Sequence, residues 1–203
     1  MWFAGPARRV QGGVVHGALN LGLHLEPGMR VGLFGGSFNP AHEGHAHVAE
    51  TALERLGLDR VIWLVSPQNP LKPRHETEVL SRRVWGAARY AQGPSMIVTA
   101  AETRIGSFYT IDTVRALKAR YPKVKFVWIM GADSLLSFHR WRGWTELFRE
   151  IPMAIVARPG STIRSRFAPA ARRFAHSRVP RQPRAPFGRH GAAGLDVPGS
   201  PVA

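Results

Sequence analysis

The sequence contains no cysteine, which excludes a disulfide framework and any thiolate metal site and fits a reducing, cytoplasmic setting. It also lacks an apolar run near the roughly 20 residues that a bilayer-spanning helix needs. The longest β-rich stretch, Val61 to Val65, is far too short, and Met1 to Arg9 reads without the apolar centre of a secretory signal. A membrane is therefore not an expected partner. Acidic residues are scarce, 13 against 28 lysines and arginines, but the imbalance is local. From Arg158 to Ala203 there are nine arginines and one acid, Asp196, so this segment carries +8 and the first 157 residues only +7. Aromatics are sparse in the same segment: Phe167, Phe174 and Phe187 form no obvious base-stacking platform. No specific nucleic acid is expected, although nonspecific polyanion binding through the arginines is a reading that charge alone allows.

What is present is a globular composition. Hydrophobic residues make up 44% and charged residues 20% of 203 positions, enough to build one central core and too apolar for a chain disordered throughout. Three stretches differ in character. Residues 1–28 are glycine-rich without sustained period and read as a flexible N-terminal extension, with Met29 standing directly before the first convincing strand. Residues 29–166 read as the folded domain, and 167–203 as a loose tail of Arg, Pro, Ala and Gly.

Within 29–166 strand and helix signals alternate. Strand Arg30 to Phe34 is followed by a helix from about Gly44 to Leu56, which places Val48, Ala52 and Leu56 on one face and stops at Gly57. Strand Val61 to Val65 completes a βαβ unit. Then come a helix from about Ser81 to Ala91, strand Met96 to Ala100, helix Thr110 to Arg120 and strand Lys125 to Met130. A helical pair between Asp133 and Glu150 and strand Met153 to Ala157 close the series. Nearly unbroken apolar strands such as Val-Ile-Trp-Leu-Val predict a parallel sheet covered on both faces, an α/β doubly wound fold. In such sheets ligands bind beyond the carboxyl ends of the strands, so the residues just after strands are the candidates for chemistry.

The first such stretch reads Gly35-Gly36-Ser37-Phe38-Asn39-Pro40-Ala41-His42-Glu43-Gly44-His45. Its two glycines permit a sharp turn and close backbone approach to a ligand, and the helix that follows offers unpaired N–H groups and a positive dipole end to an anion. His42 and His45, three residues apart at a helix entry, project to nearly the same side. Gly44 between them keeps that approach free of a side chain. Two imidazoles there can donate hydrogen bonds to phosphate oxygens as charge shifts during attack at phosphorus. His47 is expected to face solvent.

This stretch resembles the GxFxPxHxGH signature of the nucleotidyltransferase superfamily, each fixed position being met by Gly36, Phe38, Pro40, His42, Gly44 and His45. The resemblance implies a Rossmann-like fold, ATP with Mg2+, and in-line attack of an acceptor phosphate on the α-phosphorus with release of pyrophosphate. It implies catalytic contacts to the ATP phosphates from His42 and His45, and backbone contacts to the nucleotide from Gly35, Gly36, Ser37 and Phe38. The superfamily includes enzymes acting on nicotinate mononucleotide, on phosphopantetheine and on lipid or sugar precursors, and later segments discriminate among them. These are Ser66-Pro67-Gln68-Asn69-Pro70-Leu71-Lys72, Ser107-Phe108-Tyr109-Thr110-Ile111-Asp112-Thr113, Met130-Gly131-Ala132-Asp133 with Trp141, and Ala157-Arg158-Pro159-Gly160.

Taken in order, they are similar to the bacterial nicotinate-nucleotide adenylyltransferases over about Met29 to Gly160. That resemblance implies ATP and nicotinate mononucleotide as substrates in NAD biosynthesis. It implies Gly131, Asp133 and Arg158 on the nucleotide side, and Lys72, Thr110 and Trp141 on the acceptor side. A flat aromatic face suits an electron-poor pyridinium, although Trp141 also fits a core role, and Asp133 also fits a helix N-cap. The family's second phosphate motif, Ser-Ser-Thr-x-x-Arg, has no match: the nearest string, Gly160-Ser161-Thr162-Ile163-Arg164-Ser165, carries serine where its arginine belongs. A nucleotide-binding relative with impaired turnover is the reading this departure leaves open. Oligomeric state is not legible in the sequence.

Overall fold

The computed structural model describes residues 21–67, 77–157 and 168–173. Five strands, β1 (Arg30–Gly36), β2 (Arg60–Val65), β3 (Met96–Thr99), β4 (Lys125–Gly131) and β5 (Met153–Val156), form one sheet in the order β3-β2-β1-β4-β5. Every pairing is parallel, so the doubly wound α/β reading holds. The chain runs outward from β1 to β2 and β3, then returns to β4 on the other side of β1. The strand order therefore reverses between β1 and β4, with Gly36 and Gly131 at the two carboxyl ends.

Alternation along the strands divides the core in two. On one face Phe34, Val61, Trp63, Val65 and Ile129 pack with Val48, Ala49 and Ala52 of helix α1 (Glu43–Leu56) and Ala87 of α2 (Leu80–Tyr90). On the other, Leu33, Ile62, Leu64, Trp128 and Met130 meet α4 (Thr110–Arg120), α5 (Ala132–Phe138) and α6 (Trp144–Glu150), through Ile111, Val114, Leu117, Leu135, Phe138 and Leu147. Helix α1 ends where the sequence places its stop. Gly57 is left-handed at φ 57°, a conformation glycine adopts without a Cβ clash, and its N–H caps the last turn. His47 is exposed.

Three features differ from the sequence reading. A one-turn helix, α3 (Glu102–Ile105), lies between β3 and α4, too short to register as periodicity. Leu21 and Leu23 are buried in the second core cluster, and Tyr121 donates from its hydroxyl to the Leu23 carbonyl at 2.9 Å. These leucines therefore contribute to the core although they precede Met29. Residues 169–173 form a short helix, α7 (Pro169–Arg173), packed near α5, with Ala168, Ala170 and Ala171 buried. Its small side chains allow close packing without the large apolar residues by which a sequence pattern is recognised.

Glu102 is the one buried carboxylic acid among the described residues, 4% exposed. Its Oε1 accepts from the Thr113 hydroxyl at 3.1 Å, and its Oε2 finds no partner among the described residues. Burial pushes its pKa from the ordinary 4.5 up to about 7, the Thr113 bond opposing. The folded state thus holds this proton more tightly than the unfolded chain. Its contribution to stability is complete below pH 4.5 and is lost as pH rises through about 7, a change on the order of 3 kcal/mol. Glu102→Gln, which cannot ionise, is expected to gain stability relative to the parent between pH 5 and pH 8 in urea unfolding. A parent-minus-variant difference that stays constant with pH contradicts the assignment.

Candidate active site

The chain leaves β1 at Gly36 and enters α1 at Glu43, and the turn between them is built by other residues than the glycine pair suggests. Neither Gly35 nor Gly36 has positive φ; the left-handed residue is Phe38, at φ 46°, followed by a cis bond between Asn39 and Pro40. A non-glycine residue in that region costs roughly 1–2 kcal/mol. Burial offsets this: the Phe38 ring is 2% exposed and sits 5.3 Å from Phe34, 5.1 Å from Trp63 and 5.1 Å from His45, centroid to centroid. The glycines answer to packing instead. A Cβ on Gly35 would lie 2.3 Å from Cη2 of Trp128, and one on Gly36 would lie 3.2 Å from Cζ of Phe38.

His42 is the N-cap of α1, with extended backbone at φ −156°. Its N–H donates to Nδ1 of His45 at 3.2 Å, and the two rings lie 3.9 Å apart between centroids. The structure thus brings the pair together at the start of α1, His42 exposed and His45 half-buried. Because Nδ1 of His45 accepts, the neutral ring carries its proton on Nε2, which makes that nitrogen the donor. Helix N–H groups, the positive end of the dipole and two imidazoles then share one small region at the strand-order reversal. Such a grouping of donors suits an anion.

On the other side of the reversal, Gly131 is buried at the end of β4 and is itself the N-cap of α5. Asp133 is exposed in the first turn of that helix, so the capping position expected as its alternative role belongs to Gly131. Trp141 is half-buried, edge-on to Trp128 at 6.2 Å and 5.1 Å from Phe138. Trp128 therefore meets both the β1 backbone at Gly35 and the ring of Trp141. Thr110 opens α4. The residue before it, Tyr109, carries the Arg142 guanidinium 4.5 Å from its ring centroid, which sets the start of α4 beside the segment that bears Trp141. Lys72 and Arg158, and the string from Gly160 to Ser165, lie outside the described residues.

Sequence reasoning passes over Arg83. It is 2% exposed, and its guanidinium donates to four carbonyls: Ser37 (2.9 Å) and Ser66 (2.7 Å) from Nη1, Pro67 (2.9 Å) from Nη2 and Glu78 (2.8 Å) from Nε. Burial lowers its pKa, with Glu78 partly offsetting the effect; it remains a cation. The signal available in the sequence is an arginine on the inward stripe of α2, four residues before the buried Ala87.

A parallel sheet whose strand order reverses between β1 and β4, with two imidazoles and a helix N-terminus at the exit of its first strand, narrows the class. Residues 33–185 match the cytidylyltransferase-like family model, which makes the chain a nucleotidyltransferase-superfamily protein. A protein of Caulobacter sp. (strain K31) described as "probable nicotinate-nucleotide adenylyltransferase" is 70% identical over 152 residues, 75% of this chain and 80% of that one. A Cereibacter sphaeroides protein of the same description is 49% identical over 164 residues, 81% of this chain and 86% of its own. The chain belongs to the nicotinate-nucleotide adenylyltransferase family. Among solved structures, Plasmodium falciparum nicotinic acid mononucleotide adenylyltransferase complexed with NaAD aligns with a TM-score of 0.57 over 66% of this chain and 67% of that one. At 16% identity this likeness bears on the fold alone.

The contact between Gly35 and Trp128 generates a prediction. Gly35→Ala forces a backbone or ring shift at the centre of the sheet and is expected to destabilise the fold by about 1–3 kcal/mol, read as a lower urea midpoint. An unchanged midpoint rules out the packing account of this glycine.

Proposed function

We propose that the chain transfers AMP from ATP to nicotinate mononucleotide, giving nicotinate adenine dinucleotide and pyrophosphate in NAD biosynthesis. The observation that carries the residue-level reading is the adjacent His42 and His45 pair at the N-terminus of α1, at the point where the sheet's strand order reverses. Family membership supports the choice of acceptor. In this reading an oxygen of the acceptor phosphate attacks the α-phosphorus of ATP in line, a new P–O bond forms, and the bond to the β-phosphate oxygen breaks. The electron pair of the broken bond leaves with pyrophosphate.

The residues supply position and charge compensation rather than a nucleophile. His42 and His45 donate to phosphate oxygens where negative charge accumulates, and the N–H groups opening α1 add to them. The backbone from Gly35 to Phe38 lies along the nucleotide, with Gly131, Asp133 and Arg158 on the same side. Trp141 offers its face to the pyridine ring, Thr110 and neighbouring backbone meet the nicotinate carboxylate, and Lys72 neutralises phosphate.

Magnesium fits this site through the substrate. The donor set at the loop is imidazole and N–H, which suits anions, and no group of three or more His, Asp or Glu able to hold a metal occurs among the described residues. The ion's ligands would then be phosphate oxygens and water, as Mg2+ commonly prefers. When bound, it supplies neutralisation of triphosphate charge. No helix among the described residues is long and apolar enough to cross a membrane. A cytoplasmic setting rests on the cysteine-free sequence.

Purified protein with ATP and Mg2+ is expected to release pyrophosphate with nicotinate mononucleotide. Phosphopantetheine should be inert, and nicotinamide mononucleotide should be disfavoured by about 10²-fold or more in kcat/KM, because a site arranged for a carboxylate leaves its donors unpaired against the amide. Equal rates with all three acceptors, or none with any, would sink the proposal. Separately, His45→Ala is expected to lower kcat by about 10²–10³-fold while the circular dichroism spectrum stays that of the folded parent and Tm falls by roughly a few degrees from the lost capping bond. Retained kcat in a folded variant removes His45 from the chemistry.

A further inference from the structure

We infer that Arg83 is a positioning residue for the phosphate loop: its buried guanidinium locks the Ser37 turn to the segment after β2 and to the entry of α2, and so fixes where the triphosphate lies. The inference rests on the reading above that Gly35 to Phe38 and the two histidines hold the nucleotide.

Four carbonyls from three separate stretches of chain converge on this one side chain. Ser37 belongs to the turn between β1 and α1, Ser66 and Pro67 follow β2, and Glu78 precedes α2. A guanidinium presents five N–H donors in a rigid plane, so it can hold several acceptors in a set relative geometry, which an ammonium on a flexible stem cannot. A second link runs between two of the same stretches: the Glu78 N–H donates to Oδ1 of Asn39 at 3.3 Å. Ser37 and Asn39 flank Phe38, the left-handed residue whose ring packs against His45. The turn is therefore held from outside by Arg83 and Glu78, and from within by the buried ring.

An arginine placed only to stabilise the core would be an unusual choice, since desolvating a cation is costly and an apolar side chain on the α2 stripe would bury more favourably. Here the cation meets carbonyl dipoles and no carboxylate lies within ion-pairing distance of it among the described residues. Glu78 instead pairs with Arg82 at 3.8 Å. What the arrangement provides is a set spacing between loops at the carboxyl ends of β1 and β2, where the sheet presents its ligand side.

The test compares the parent with Arg83→Lys and with Asn39→Ala, which cuts the companion link outside the core. Two readouts are taken on protein shown to be folded by circular dichroism: amide hydrogen exchange of peptides spanning residues 35–46, and steady-state kinetics with ATP varied. In Arg83→Lys, exchange in this span should quicken while that of β4 stays as in the parent, the KM for ATP should rise, and kcat/KM should fall on the order of 10²-fold. Asn39→Ala should move the same quantities in the same direction by less. A role in stability alone predicts a lower Tm with parental KM in the folded fraction. Parental exchange in residues 35–46 overturns the inference, as does a parental KM for ATP; if Arg83→Lys does not fold, Asn39→Ala decides by the same two readouts. Should the parent itself fail to turn over, the proposed reaction falls, and the exchange measurement still decides whether Arg83 holds the loop.

Discussion

Six residues between Gly36 and Glu43 must carry the chain from the central strand into its first helix, over a face already occupied by Phe34 and Trp63. That confinement governs the site. Phe38 takes a left-handed backbone that its side chain disfavours, and the ring it thereby turns inward packs on Phe34, Trp63 and His45. The cost of the backbone and the gain from the buried ring are both local, so the turn is stable only while the aromatic packing beneath it is intact. His45 inherits its orientation from this arrangement: one side of its ring meets Phe38, and its Nδ1 takes the His42 N–H. Tautomer, ring position and helix start follow from one packed turn.

The fold was largely legible in the sequence because each strand and long helix carries a strong periodic signal and a clear stop. Arg30 opens the first strand, Gly57 closes the first helix, and Thr110 to Arg120 is helical between the same residues in the structure. Elements without such signals stayed hidden. A one-turn helix over Glu102–Ile105 has too few residues to show a period, and the alanine-rich turn at Pro169–Arg173 buries small side chains that composition alone does not separate from a loop. Likewise the leucines at 21 and 23 lie in a glycine-rich stretch, and only the docking of Tyr121 onto the Leu23 carbonyl reveals that they pack.

The candidate site was legible to a different degree. A histidine pair at a spacing of three next to a helix start fixes its own geometry through local backbone rules, which is why the sequence suffices to bring the rings together. Asp133 illustrates the opposite. Whether it caps α5 or lies inside its first turn depends on a register of two residues, and the structure gives the cap to Gly131. Arg83 lies further still from sequence inference: its partners are carbonyls, which every residue carries, so nothing in their identity announces the network. The only trace is a charge on a helix face that otherwise turns inward.

The motif glycines need the same reinterpretation. A glycine beside a phosphate site suggests room for a ligand, yet at Gly35 the space a Cβ would need is already taken by the six-membered ring of Trp128. The same tryptophan stands edge-on to Trp141. Gly35 thus sets how close β1 can lie to Trp128, and Trp128 in turn sets where Trp141 rests. In-line transfer requires the acceptor phosphate and the α-phosphorus to meet at a defined separation, and rates fall steeply with small misplacements. On the proposed reading, with the nucleotide along the β1 loop and the acceptor at Trp141, this one shared ring links the placement of the two substrates.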